Sequence, residues 1–296
     1  MVNDKAATEI FKGIWMVDPH LLESYIASAI KLLSETPTKE NHKEAQGAMV
    51  REVIDPDGNP VNIRQGEEIP PDSVGILRSV GPMYKYGGWY YWGTDELVEM
   101  AQYFEDEPNI IGQVWQDHSG GGFMTSIAPW LDFLNRKTKP VVSVLDLCAS
   151  ACYYKNCHTD YMMAENNISA EFGSIGVMVQ FYDFKGWFKE MGIKEHTIMS
   201  NLSKDKNKTF LLALEGKYDL IKREMLDPAA KKFQEDVMAA RPNLEKDIPG
   251  ILSGKMFYAE EALDYGMIDG IGSLQEGIER VKFLASARSI VNFSNV

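Results

Sequence analysis

Residues 139–154 read KPVVSVLDLCASACYY, and this stretch decides the fold. Its first half, Val141–Leu147, is an apolar run with the length of a buried strand. Small residues and an aromatic pair follow, which predicts that the strand enters a helix near Ser150. A serine at such a junction stands where a nucleophile can be exposed and where the helix dipole favours negative charge. An ordinary N-cap serine is the alternative, and the junction alone favours that alternative.

A second segment of chemical interest ends the preceding predicted strand, Ile110–Gln116. It reads DHSGGG over residues 117–122, and a helix from Ser126 to Asn135 is predicted after it. Glycines let backbone N–H groups approach a ligand closely, as an oxyanion hole requires. A flexible strand-to-helix turn is an equally weighted alternative. In parallel α/β folds the loops after the strands form the site, so both segments are candidates for it.

Strands and helices alternate from Val74 onward, which predicts parallel crossover units of an α/β domain. The predicted strands are Val74–Val80, Ile110–Gln116, Pro140–Leu147, Tyr161–Ala164 and Gly176–Val179. Six helices are predicted. Two are placed by one residue, a helix capped by Thr94 and a helix that begins near Ser150, and the other four are Ser126–Asn135, Asp183–Met191, residues of about 214–240, and Leu274–Ala285.

The residues before this alternation predict an extension. Helical spacing of apolar residues covers 7–34, with a break at Asp18-Pro19, and a polar linker follows over Glu35–Gln46. Met49–Ile54 and Val61–Arg64 are expected to form a hairpin turned by a Pro- and Gly-rich segment. We therefore divide the chain into an N-terminal segment 1–73, a main domain 74–285 and a C-terminal tail 286–296.

Composition excludes several classes of protein. The chain has 296 residues, with 30 Lys and Arg against 43 Asp and Glu, which gives a net charge of −13. A hydrophobic content of 45% excludes global disorder, and the acidic balance argues against nucleic-acid or anionic-membrane partners. No apolar run approaches the ~20 residues of a membrane span, and the N-terminus lacks a signal-peptide core. These features predict a cytoplasmic protein without a membrane span.

The three cysteines, Cys148, Cys152 and Cys157, lie within ten residues of one another. An odd number packed so tightly is not a secreted disulfide framework, and the spacing lacks the paired CxxC of a zinc site. We predict reduced thiols, with a metal or redox role as the alternative. The histidines show no metal-binding spacing either. We expect no metal and no cofactor.

Four blocks in order resemble the signal peptide peptidase A (protease IV) family of the Clp/crotonase superfamily. That family carries D-S-P-G-G, K-P-V-V, A-S-G-G-Y-Y and G-S-I-G-V. This chain has DHSGG at 117–121, KPVV at 139–142, ASACYY at 149–154 and GSIGV at 173–177. The resemblance runs from about Val74 to Leu274. It implies a Clp/crotonase-like α/β fold with repeated β-β-α and βα units, here with an N-terminal helical and hairpin extension.

The resemblance also implies a serine endopeptidase with a Ser-Lys dyad. Ser150 matches the family's nucleophile, and Lys204 in IMSNLSKD (198–205) matches its general base. Such a lysine must be neutral to accept a proton, which burial away from carboxylates achieves. Three further residues are candidates for the oxyanion hole and the substrate contacts, namely Gly120, Gly121 and Ala151. Ser174 is expected to orient the lysine amine, and a simple turn role is its alternative.

The sequence departs from the family pattern at several positions. Ala151 and Cys152 replace the two glycines after the nucleophile, Ser119 replaces the proline of the glycine block, and Asn201 replaces the glycine of the lysine block. Lys206 and Lys208 lie close to Lys204 and are alternatives for the base. A rival nucleophile is Ser119 next to His118, although adjacent residues seldom face each other for base catalysis.

Two features resemble the phage and prophage branch of the family. One is WMVDP at 15–19, and the other is the YGG at 86–88 followed by Gly93-Thr94. This branch implies a head maturation protease that cuts unfolded segments of scaffold or capsid proteins inside a procapsid. A bacterial signal-peptide-peptidase-like protease is the alternative. An acyl-CoA-binding crotonase-like enzyme or an inactive structural capsid protein also stays open.

The superfamily resemblance further implies a homo-oligomeric ring. The aromatic run WYYW at 89–92 is a candidate for its interface, because aromatic residues are enriched at interface cores. The alternative is that these rings cover the chain's own core.

Overall fold

The computed structural model describes residues 15–17, 50–88, 91–181 and 183–294. Its strands are β1 (Trp15–Val17), β2 (Arg51–Ile54), β3 (Pro60–Val61), β4 (Ser73–Val80), β5 (Ile110–Ser119), β6 (Gly121–Phe123), β7 (Val141–Ala149), β8 (Tyr161–Ala164), β9 (Glu171–Gly173), β10 (Met256–Tyr258) and β11 (Gly270–Ile271). Its helices are α1 (Thr94–Asp106), α2 (Ile127–Arg136), α3 (Ala151–Asn156), α4 (Lys185–Glu190), α5 (Lys208–Leu214), α6 (Asp219–Ile221), α7 (Asp227–Ala240), α8 (Ala259–Asp264) and α9 (Leu274–Ser294).

Within the described residues, nine strands form one sheet in which parallel pairs dominate. Its order is β10-β9-β7-β5-β4-β2-β3; in addition, β8 pairs with β7, and β11 pairs with β8. Five pairs are parallel: β4 with β5, β5 with β7, β7 with β8, β7 with β9, and β8 with β11. The antiparallel pairs lie at the two edges. This mixed sheet with helices confirms the predicted α/β, Clp/crotonase-like fold.

Strand β7 forks near its carboxyl end, immediately before Ser150. Its residues Val142–Leu145 pair with β8, whereas Leu147–Ala149 pair with β9. The predicted strand at Gly176–Val179 was wrong, because the strand in this region is β9. Gly173 and Ser174 both have positive φ angles, 138° and 53°, which turn the chain out of the sheet after three residues.

Helix α9 covers one face of the sheet at close range. Ile278 and Val281 pack against valines of β5 and β7. Two glycines permit the approach: a Cβ at Gly277 would lie 2.5 Å from Val144 Cγ2, and one at Gly112 would lie 2.6 Å from Val281 Cγ1. Such distances are too short for any side chain, so both glycines are required by packing.

The other face of the sheet holds the larger apolar core. Trp115 of β5 packs on Trp130 of α2, with ring centroids 4.8 Å apart, and Phe133 and Leu145 complete the contact. These residues alternate along the strands with those under α9, so the central strands are buried on both faces. Burial on both faces explains the continuous apolar run in β7.

The N-terminal helix prediction over 7–34 was wrong at Trp15–Val17, which form strand β1. This strand pairs antiparallel with β6, so a tertiary pairing overrides the local helical periodicity. The rest of 7–34 and the linker 35–46 lie outside the described residues. The hairpin is confirmed, with Val53 opposite Val61, and β2 pairs with β4 in the main sheet.

Several boundaries differ from the sequence predictions. Gly93 is the N-cap of α1, and Thr94 is the first helical residue. The helix predicted at about 214–240 begins at Asp219 and contains a π-helical turn at Lys222–Leu226. Helix α9 continues to Ser294 without a break at residue 285. The division into 1–73, 74–285 and 286–296 stays a prediction.

Candidate active site

Ser150 occupies the turn between β7 and α3 in a strained conformation. Its φ of 54° and ψ of −115° are those of the first central residue of a type II′ turn, where glycine is preferred. Such strain costs about 1–3 kcal/mol and is concentrated at functional sites. In α/β-hydrolases, a sharp and strained strand-to-helix turn presents the nucleophilic serine. The residue is only 1% exposed in this single chain.

The segment around Ser174 is brought directly against Ser150. The Ser150 N–H donates to Gly173 O at 2.8 Å, and Ser150 Oγ lies 3.5 Å from Gly176 O. The latter distance is at the outer limit of a hydrogen bond, so the hydroxyl is held weakly. Ser174 N donates to Lys255 O at 3.1 Å, which fixes the segment against the loop before β10. Its predicted role in orienting a lysine stays a prediction.

The glycine segment forms a strand rather than a flexible turn. Gly120 links β5 to β6, and Gly121 begins β6 with a φ of 98°. The Gly121 N–H donates to Ser119 Oγ at 3.1 Å, so this amide already has an acceptor. The Ala151 N–H is the first of α3 and has no hydrogen-bond partner among the described residues. An amide in that position is available to an oxyanion.

The rival pair His118 and Ser119 is not brought together. Ser119 Oγ donates to Gly81 O at 2.6 Å and is buried. His118 points to the other face of β5, where its Nδ1 lies 3.2 Å from Asp146 Oδ2. The two side chains alternate across the strand and cannot exchange a proton directly.

Lys204 lies in an exposed turn and is not in contact with Ser150. Among the described residues no hydrogen bond or ion pair joins the two side chains. The segment that carries Lys204 also exposes large apolar side chains, with Ile198 at 94% and Leu202 at 97% exposure. Trp187 in α4 is 55% exposed. Large apolar side chains are seldom so exposed on a protein that stays monomeric, when they form one patch.

A buried ion pair lies behind the turn that carries Ser150. Lys155 of α3 and Asp117 of β5 are each about 2% exposed, and Lys155 Nζ lies 2.5 Å from Asp117 Oδ2. The ammonium also lies over the rings of Trp115 and Trp130, at 4.9 and 4.4 Å from their centroids. The pair connects the helix after Ser150 to the strand before the glycine segment.

Asn156 extends this buried network. Its Nδ2 donates to Asp117 Oδ2 at 2.7 Å and to Cys152 O at 3.0 Å, and its Oδ1 accepts from Ser143 Oγ at 2.8 Å. Sequence analysis missed Lys155 and Asn156. The available signal was a charged residue following Tyr153-Tyr154 in an otherwise apolar helix, which is unusual unless the charge is paired.

A stack of aromatic rings attaches α3 to α7. Tyr154 stacks on Phe233 with centroids 4.4 Å apart, and its hydroxyl donates to Asp236. Burial alone would raise the Asp236 pKa, but hydrogen bonds from Lys232 and Tyr154 outweigh it and the pKa is lowered. His158 stacks on Tyr154, and burial lowers its pKa.

The three cysteines are free and buried, and their reduced state stays a prediction. Burial raises the pKa of Cys148 well above its usual value, with the neighbouring Cys152 adding to the effect. Burial likewise raises the pKa of Cys157. A thiol held in its protonated form is a poor nucleophile, so the side chains of Cys148 and Cys157 serve packing.

Comparison with protein families gives one match that covers more than half of the chain. Residues 133–288 match the model of peptidase family S49. The matched range contains the β7–α3 turn with Ser150, the Ser174 segment and Lys204. The glycine strand β6 precedes it.

Curated proteins with detectable similarity are named as proteases. A "putative protease" of Methanocaldococcus jannaschii is 24% identical over 69% of this chain, and Protease 4 of Haemophilus influenzae is 23% identical over 66%. The "putative signal peptide peptidase SppA" of Enterococcus faecium is 22% identical over 70%. The matches cover 64%, 32% and 60% of those three proteins, respectively.

No helix in the described part of the chain is both long enough and apolar enough to cross a bilayer.

Proposed function

Because this chain belongs to peptidase family S49, we propose that it is a serine endopeptidase that cuts unfolded protein segments with Ser150 as nucleophile. The observation that carries the proposal is the strained turn of Ser150 between β7 and α3, next to the Ala151 N–H, for which the described part of the chain provides no acceptor. A strained non-glycine residue at a helix N-terminus has a cost in stability, which a catalytic role explains.

The proposed reaction is acyl transfer in two steps. Ser150 Oγ attacks the carbonyl carbon of the substrate and gives its proton to a neutral lysine amine. The resulting oxyanion accepts a hydrogen bond from the Ala151 N–H. The C–N bond then breaks, and the leaving amine takes the proton from the lysine. Water hydrolyses the acyl-serine ester, which releases a carboxylate and restores the serine hydroxyl.

Lys204 is the proposed general base. We propose that it comes next to Ser150 only when several copies of the chain assemble. In a single chain its turn is exposed, and so are the apolar side chains of Ile198 and Leu202 in the same segment and of Trp187 in α4. Burying these side chains against a neighbouring copy would also bury Lys204, and a buried lysine can donate or accept a proton at neutral pH. We therefore propose a cyclic homo-oligomer in which the site is completed at a subunit boundary.

As the natural role we propose maturation of a phage or prophage capsid, with scaffold or capsid proteins as substrates. The support is the resemblance of Trp15-Met16-Val17-Asp18-Pro19 to the opening segment of that branch. The cytoplasm, or the interior of a procapsid, is the proposed location. A signal peptide peptidase is a second candidate, supported by the name of the Enterococcus faecium relative.

The deciding experiment uses casein, a disordered substrate, with wild-type protein and two matched variants. Ser150→Ala should lower the cleavage rate by ~10³-fold or more, because the nucleophile is removed. Ser119→Ala removes a buried hydroxyl in the same site and should retain measurable cleavage. Circular dichroism checks that both variants fold. Loss of cleavage in Ser119→Ala alone would contradict the proposal, and retention of a CoA ester would support the crotonase-like alternative.

A further inference from the structure

The edge of strand β6 is occupied by another segment of the same chain. Trp15–Val17 pairs antiparallel with it, so that Trp15 faces Phe123, Met16 faces Gly122 and Val17 faces Gly121. These two strands form a separate two-stranded sheet beside the main one. The pairing joins residues more than a hundred positions apart, so local sequence does not explain it.

The hydrogen-bonding pattern identifies which groups of β6 face β1. On one side of β6, Met83 N donates to Gly121 O at 3.0 Å and Phe123 N donates to Met83 O at 2.9 Å. Backbone groups of successive residues in a strand point to opposite sides. The N–H and C=O of Gly122 therefore point to the other side, where Met16 stands opposite.

This edge runs beside the candidate nucleophile. Strand β6 packs against α3, the helix that begins just after Ser150. Ser119, two residues before β6, pairs with Cys148, two residues before Ser150. Gly122 has no room for a side chain, since a Cβ there would lie 2.2 Å from Met83 O. The strand thus offers a backbone edge, free of a side chain at its centre, beside the helix that begins just after Ser150.

An edge of this kind binds an extended peptide by strand addition, with main-chain hydrogen bonds that do not depend on the peptide's sequence. We propose that the β6 edge is the peptide-binding edge of the site and that Trp15–Val17 is its resident intramolecular occupant, which a substrate must displace. This inference rests on the proposed peptidase function. A tethered occupant competes at an effective concentration of ~mM, which raises the apparent KM of any substrate that uses the same edge.

The occupant is tested in the full-length chain by two proline substitutions. Met16→Pro removes the N–H that faces Gly122 and should release the strand. Val17→Pro is the matched control, because the N–H of Val17 points away from β6 in the same pairing. For labelled casein, Met16→Pro should lower KM roughly tenfold with kcat unchanged, as loss of one or two hydrogen bonds implies. Val17→Pro should leave both constants near the wild-type values.

Two further measurements do not depend on cleavage. Hydrogen exchange at Gly122 should be faster in Met16→Pro than in wild type and in Val17→Pro. A synthetic peptide of residues 12–20, labelled with a fluorophore, should bind Met16→Pro more tightly than wild type by anisotropy. If no form of the protein cleaves casein, the peptidase proposal fails, and these two measurements still decide whether the strand occupies a peptide-binding edge.

Three results would overturn the inference. Unchanged exchange at Gly122 in Met16→Pro would show that the strand does not protect the edge. Faster exchange with an unchanged KM and unchanged peptide binding would show that the strand pairs without competing. A cut within residues 15–18 of the wild-type chain, detected by intact mass, would identify the strand as a substrate and not a lasting occupant.

Discussion

Lys155 Nζ lies 2.5 Å from Asp117 Oδ2, with both side chains buried behind the turn that carries Ser150. The pair holds α3 against the end of β5, so Ser150, the proposed nucleophile, and the glycine segment are fixed relative to each other. Because the partners come from two different elements, breaking the pair should affect both the stability and the geometry of the site.

We expect Asp117→Asn to lower the free energy of unfolding by about 3–5 kcal/mol, since it leaves the Lys155 ammonium buried without its counter-charge. The double variant Asp117→Asn with Lys155→Met should recover most of this loss, because no buried charge remains. Urea unfolding of the wild type, both single variants and the double variant gives the coupling free energy. Additive losses would mean that the two charges do not interact.

The same double variant separates stability from positioning. If the ion pair only stabilises the fold, kcat should return to the wild-type value together with stability. If it positions α3 against the glycine segment, kcat should stay low at unchanged KM in a fully folded protein. We expect the second result, because the apolar replacement lacks the directional contact to β5.

Lys204→Arg should abolish casein cleavage, because a guanidinium stays protonated and cannot accept the proton of Ser150. In the wild type, kcat/KM should rise with pH toward the alkaline range, since only the neutral amine acts as a base. Lys206→Arg and Lys208→Arg are matched controls on the same loop and should retain activity. Full activity of Lys204→Arg would move the base to one of these lysines.

The proposed homo-oligomer predicts that two inactive variants recover activity when they are mixed. Ser150→Ala and Lys204→Ala should each be inactive, and an equal mixture should recover about a quarter of the wild-type rate if the dyad forms across a subunit boundary. Light scattering should give a mass several times 33.4 kDa. Leu202→Asp, which replaces a 97% exposed apolar side chain with a charged one, should reduce this mass. A monomer with full activity would contradict the proposed assembly.

His158 should make the stability of the fold sensitive to mild acid. Burial lowers its pKa in the folded chain, so below about pH 6.5 the unfolded chain binds the proton more readily. The free energy of unfolding should therefore fall as the pH drops from about 7.5 to about 5.5. His158→Phe keeps a ring against Tyr154 but cannot titrate, and its decrease over this range should be smaller. Parallel pH profiles for both proteins would exclude His158 as the cause.

The parts of the fold that local sequence specifies were predictable. The strand β7 and the helix after Ser150 follow from an apolar run and a junction of small residues, and both are present. The pairing of Trp15–Val17 with β6 was not predictable, because its helical periodicity is local and its partner is distant. Lys155 was missed for the same reason, since only the folded chain brings Asp117 to it. The proposed dyad of Ser150 and Lys204 was not predictable from local sequence either, because in the proposed assembly the two side chains meet at a subunit boundary.

The backbone of Ser150 has a consequence for how this family changes over time. A glycine would adopt φ 54° and ψ −115° without strain, so Ser150→Gly should stabilise the fold by about 1 kcal/mol while removing the proposed nucleophile. In the proposed peptidase, selection for catalysis therefore acts against a mutation that improves folding. In a related protein that kept the fold but no longer required catalysis, we expect Ser150 to be among the first residues replaced by glycine.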